Sequence, residues 1–66
     1  MYQFQVNDRV KFTQEYLEAN AECIDPGITD KELQGTIIDI VGGRLTIRFD
    51  DGSTDTYNPE AFEYLY

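Results

Sequence analysis

The stretch GTIIDIVGGRLTIRFDDGSTDTY, residues 35–57, decides the fold. Three runs rich in β-branched and aromatic residues, GTIIDIV, RLTIRFD and STDTY, are separated by Gly42-Gly43 and Asp51-Gly52. Both dipeptides are strong two-residue hairpin signals, because such turns need backbone conformations that glycine adopts without steric cost. A two-residue first loop sets Val41 opposite Arg44, Ile40 opposite Leu45 and Ile38 opposite Ile47. A two-residue second loop sets Phe49 opposite Thr54, Arg48 opposite Asp55 and Thr46 opposite Tyr57. The two hairpins then agree on one partition. Ile38, Ile40, Leu45, Ile47 and Phe49 share an inner face with Thr54 and Thr56. Asp39, Thr46, Arg48, Asp55 and Tyr57 share the outer face, with Ile37 exposed. A three-residue second loop is the alternative. It turns Tyr57 inward and takes Asp55 with it, because a one-residue slip exchanges the faces of a strand.

Upstream, RVKF (9–12) alternates and predicts a short strand with Val10 and Phe12 inward. Residues 13–33 break that pattern. TQEYLEANAE suits a short helix with Thr13 as N-cap and Glu15 in the first turn, where the helix dipole favours an acid. Asp25–Gly27 reads as a turn, and Thr29–Glu32 fits a capping box opening one more helical turn. This segment carries six acids against one base and is too long for an ordinary hairpin loop. Downstream, Asn58 can cap, Pro59 suits the first helical position, and a single 3-10 turn leads to Phe62 and a last short strand in EYLY.

The order of elements is strand, long partly helical loop, three-stranded meander, 3-10 turn and short strand. Through NDRVKF (7–12), GTIIDIVGGRLTIRFDDG (35–52) and YNPEAFEYL (57–65) it resembles the SH3-like barrel, in the group that includes KOW and Tudor modules. The RVKFTQEYL opening and the FDDG…NPEAF close are similar to small proteins of bacteria and their phages. The resemblance implies a mainly β, five-stranded barrel formed by residues 1–66 as a single domain, with 13–33 as an acidic insert. In that comparison the insert takes the place of a first long loop bordering the ligand groove. A Tudor-like reading would set Tyr16, Tyr57 and Asp51 at the barrel mouth.

A chain of 66 residues buries only about 60% of its unfolded surface, so its core is small. No histidine is present and Cys23 is the one cysteine, which excludes an internal disulfide and a Cys/His zinc site. Glu22 and Asp25 flank Cys23 and disfavour the thiolate that a nucleophile needs. A structural, half-buried cysteine is expected. Asp50, Asp51 and Asp55 lack the length and closing glutamate of a calcium loop, so a solvated acidic turn is expected. No cofactor and no enzymatic activity are expected. The opening MYQFQVNDRV has neither an apolar run nor a basic cluster, and no stretch reaches the roughly 20 apolar residues of a membrane span. A cytoplasmic protein is expected.

The net charge of −8, from 13 acids and 5 bases, repels phosphate backbones and disfavours direct nucleic-acid binding. Tyrosine beside carboxylates suits lysine and arginine side chains through cation–π contact and ion pairing. The expected function is therefore a non-enzymatic interaction module that binds a basic peptide or protein surface. The expected contact residues are Tyr16, Glu15, Glu18, Glu22, Asp50, Asp51, Asp55 and Tyr57. The alternative is a phage-encoded acidic inhibitor, a nucleic-acid mimic that blocks a host nucleic-acid-binding or defence complex. The alternating MYQFQV also leaves a homodimer through an added N-terminal strand open.

Overall fold

The structure is a computed structural model and describes residues 4–24 and 27–65, with Cys23 described in its backbone alone. Five strands form it: β1 (Arg9–Phe12), β2 (Gln34–Val41), β3 (Arg44–Phe49), β4 (Thr54–Tyr57) and β5 (Phe62–Tyr64). The insert holds helix α1 (Gln14–Ala19), a 3-10 turn (Ala21–Cys23) and helix α2 (Asp30–Leu33). A second 3-10 turn, Pro59–Ala61, precedes β5. The proposed turn at Asp25–Gly27, the environment of Cys23 and the start of the N-terminal strand lie outside the described residues. Phe4–Val6 form no strand.

The strands make one antiparallel sheet in the order β4-β3-β2-β1-β5. The sheet is open, which overturns the expected SH3-like barrel. Closure would require β4 and β5 to pair, and these strands are instead the two edges. On the β4 edge the Thr56 N–H donates to the Asp55 carboxylate at 2.8 Å, so a backbone donor that closure could have used is already engaged. Ala61 of the Pro59–Ala61 turn joins the core on the inner face, and Tyr16 of the insert packs against it.

The Gly42-Gly43 loop forms as expected. Both glycines have positive φ, 59° and 79°, and Val41 pairs with Arg44 and Ile40 with Leu45. The expected face of β2 does not follow from it. A bulge between Ile37 and Asp39 shifts the register, so Ile37 pairs with Ile47. An extra residue in one strand exchanges the faces beyond it. Ile37 is therefore fully buried and Ile38 is 44% exposed, the reverse of the expected arrangement, whereas Ile40 keeps its expected place opposite Leu45 but is 37% exposed near the end of the strand. The incoming chain holds Ile37 in place: its N–H donates to Asp8 O at 2.9 Å, and its carbonyl accepts from Asn7 N at 2.7 Å.

The second loop has three residues, Asp50-Asp51-Gly52. Phe49 N donates to Ser53 O at 2.8 Å, Gly52 N donates to Phe49 O at 2.9 Å, and Gly52 sits at φ 94°. This is a type I turn closed by a left-handed glycine, the common three-residue hairpin. The preferred two-residue register is thereby corrected. Thr54 stands opposite Arg48 and Asp55 opposite Ile47, so the expected Arg48–Asp55 pair is not formed. Thr54 and Thr56 are exposed and Tyr57 turns inward.

The buried core is Val10, Ile37, Leu45, Ile47, Phe49, Ala61 and Phe62, with Phe4, Phe12, Tyr16 and Tyr57 packed against it. Each fully buried large side chain contributes about 1.5–3 kcal/mol of transfer free energy. Phe12 binds the two halves together, stacking on Phe62 at 4.6 Å, Tyr16 at 5.0 Å and Phe49 at 5.6 Å. Gly35 allows β2 and β3 to pack closely. A Cβ there would lie 2.5 Å from Arg48 O and 2.6 Å from Ile47 Cγ2. Gly35→Ala should therefore lower stability by about 1–3 kcal/mol through overpacking. Thermal denaturation should show a fall of about 4–8 °C per kcal/mol. An unchanged melting temperature would mean that the two strands separate at no cost.

Candidate functional site

The site begins where β1 ends. Thr13 stops the strand and starts α1, its Oγ1 accepting from Tyr16 N at 3.0 Å. The expected cap is thus formed, and Thr13 N also donates to Ala61 O at 2.9 Å, tying the helix start to the turn before β5. One helical turn later the Tyr16 ring lies almost parallel to Phe12, at 8°. Tyr57 arrives from β4 on the inner face. It meets Phe12 edge-on at 5.2 Å and Tyr16 at 6.3 Å and 82°. The two tyrosines expected at the site are therefore neighbours, held by the Phe12 ring that both touch.

Burial raises the Tyr57 phenol above its ordinary pKa, and the nearby Asp55 charge and Tyr16 add to the shift. Its hydroxyl makes a long contact with Asp55 Oδ2, 3.5 Å. Tyr57 thus remains a neutral hydrogen-bond donor at physiological pH.

Tyr16 and Tyr57 form a ridge between two open clefts, each of about 480 Å³. The first is walled by Glu15, Arg44, Thr56, Asn58 and Glu60. The second lies between the insert and the β3–β4 hairpin. Its apolar lining includes Phe12, Leu17, Ile24, Ile28, Leu33 and Phe49, and its acids are Glu32, Asp51 and Asp55. Asp55 has the inward parity of Ile47 and Tyr57, yet it is exposed, because its end of the sheet opens into this cleft.

The expected contact acids divide into two groups. Glu15 lines the first cleft, and Asp51 and Asp55 line the second. Asp50, Glu18 and Glu22 line neither. Glu18 accepts from Gln14 Nε2 at 3.2 Å, and Glu22 is exposed on the 3-10 turn of the insert. Asp50 is engaged internally: the Arg9 guanidinium donates to its two oxygens at 2.6 and 2.8 Å and also reaches Thr36 Oγ1 at 3.1 Å. Asp51 Oδ1 accepts from Ser53 N at 2.9 Å and Ser53 Oγ at 2.7 Å, which locks the turn. Backbone bonds from Asp50 N to Gln34 O and from Asp51 N to Lys31 O fasten the same turn to the foot of the insert. Sequence reasoning did not single out Glu32, Arg44 and Glu60 as site residues. An Asp-x-Ser spacing in DDGS does signal the Asp51 turn, whereas nothing local signals Arg9 as the partner of Asp50.

Among the described residues no three Cys, Asp or Glu side chains gather into a cation-binding group. No helix of the described residues is long and apolar enough to cross a membrane. Comparison with protein-family models, with curated proteins and with solved structures returns no match. The reading of the site therefore rests on its own geometry.

The Arg9 hydrogen bonds hold the Asp50 carboxyl below its ordinary value of 3.8, and the Ser53 hydrogen bonds do the same for Asp51. A carboxylate with a depressed folded-state pKa stabilises the fold when ionised. That contribution is complete above the ordinary value and is lost as pH falls through the depressed one. Asp50→Asn should thus cost about 0.2–1 kcal/mol at neutral pH, since the pair is partly exposed. Melting temperatures measured from neutral pH down to below 3.8 should converge for the two proteins at the acid end. A gap that stays constant with pH would show that the ion pair adds nothing.

Proposed function

We propose that this chain is a non-enzymatic interaction module that works in the cytoplasm and takes a basic peptide or protein surface on the face carrying Tyr16 and Tyr57. The observation that carries this reading is the packing of these two rings, 6.3 Å apart, as a ridge between two clefts whose walls bear Glu15, Glu60, Glu32, Asp51 and Asp55. Aromatic faces and carboxylates together attract lysine and arginine, each cation–π contact adding about 0.5–1 kcal/mol at an exposed site. The net charge of −8 steers basic partners toward the molecule and keeps nucleic-acid phosphates away. The chain contains no histidine, so the commonest general base has no counterpart here.

A nuclear magnetic resonance titration with a lysine- and arginine-rich peptide, beside an acidic peptide of equal length, tests the reading. The basic peptide should perturb the Tyr16, Tyr57 and Asp55 resonances, and its affinity should fall as salt rises. Equal binding of both peptides, or affinity indifferent to salt, would reject the module. Perturbation confined to Glu15, Glu18 and Glu22, with duplex DNA competing for the partner, would point instead to an acidic mimic of nucleic acid.

A further inference from the structure

We propose, resting on that reading, that the cleft between the insert and the β3–β4 hairpin is the binding groove, and that its occupant is an amphipathic basic segment of another protein. One apolar side chain of this segment enters the groove, and a neighbouring lysine or arginine lies at its mouth.

The two clefts differ in a way that selects one of them. The first contains Arg44, which repels an incoming cation. The second has no basic side chain among its described lining residues and carries acids on both sides, Glu32 from α2 and Asp51 and Asp55 from the hairpin. Much of the wall of this second cleft is apolar. Leu17, Ile24, Ile28 and Leu33 all line it, and all four are only half-buried. Neither α1 nor α2 has a buried residue, so the insert leaves its apolar side incompletely covered. An apolar trough with an anionic mouth complements an apolar group beside a cation, and a purely cationic chain would leave the trough unfilled.

The mode of binding also follows from the edge of the sheet. β4 is an edge strand, a natural place for a partner to add a strand. Phe49 and Ser53 share a ladder hydrogen bond, so by alternation the Thr54 and Thr56 backbone groups point away from β3. The Thr56 N–H is held by Asp55 Oδ1, which blunts that edge. Recognition therefore proceeds through side chains in the groove and not through a sixth strand.

Two peptides of equal length and equal lysine and arginine content, one interleaved with leucine and the other with serine, test this against the purified chain. The leucine peptide should bind about tenfold more tightly, the gain expected from burying one such side chain. Ile28→Ser should remove most of that advantage. The double variant Glu32→Gln, Asp55→Asn should weaken both peptides, while its asparagine still accepts from Thr56. This charge variant keeps the test decisive should Ile28→Ser fail to fold. Equal, salt-dependent binding of both peptides would overturn the amphipathic groove and leave the broader reading standing. Failure of both to bind would overturn the two together. Slowed hydrogen exchange at Thr54 and Thr56 on binding would show strand addition and reject the side-chain mode.

Discussion

The three-residue reversal Asp50-Asp51-Gly52 settles which way Tyr57 points. It is fastened from three sides: by backbone bonds to Lys31 and Gln34, by the Arg9 guanidinium on Asp50, and by the Asp51 carboxylate on Ser53. A loop one residue shorter would put Tyr57 on the opposite face of β4. Turned inward, Tyr57 meets Phe12, Phe49 and Phe62, and the aromatic cluster gains an edge-on ring on each of its stacked members. Since the same turn grips the foot of the insert, it also sets the mouth of the second cleft.

The β2 bulge is a second constraint of the same kind. It lets Ile37 enter the core between Val10 and Ile47 while Gly35 accepts the close approach of β3. Ile38 is left partly in water as a result. A core this small rests on a few fully buried groups, and the half-buried aromatics around Phe12 extend it without closing the sheet. The open edge at β4 and the incompletely covered insert are two aspects of one economy: five short strands do not provide enough side chains to seal both sides. The clefts lie where that seal is missing.

The acids of this chain do two different jobs, although composition makes them look alike. Asp50 and Asp51 hold a turn, Asp55 engages an edge donor, and Glu32 stands exposed at a cleft. Charge alone would rank Glu15, Glu18 and Glu22 as the interaction surface because they crowd one segment. Geometry ranks Glu18 and Glu22 lower, because an apolar wall beside an acid discriminates among partners and an acid in open solvent does so weakly, whereas Glu15 lines the first cleft.

Much of the local structure was legible in the residues. Thr13 caps a helix, Gly42-Gly43 turns a hairpin, Pro59 opens a 3-10 turn, and Val10 lies inward, because each of these signals acts within a few positions of the chain. The Tudor-like comparison groups Tyr16 with Tyr57, but the strand pattern sets Tyr57 on the outer face, and only the three-residue loop brings the two rings together. Tertiary structure alone decided the faces of β2 and β4, the open form of the sheet, and which carboxylates are already engaged. The reason is physical: strand faces alternate with a period of two, so one bulged residue or one added loop residue exchanges every side chain beyond it. Pairings such as Arg9 with Asp50, 41 positions apart, arise only once the sheet has brought them together.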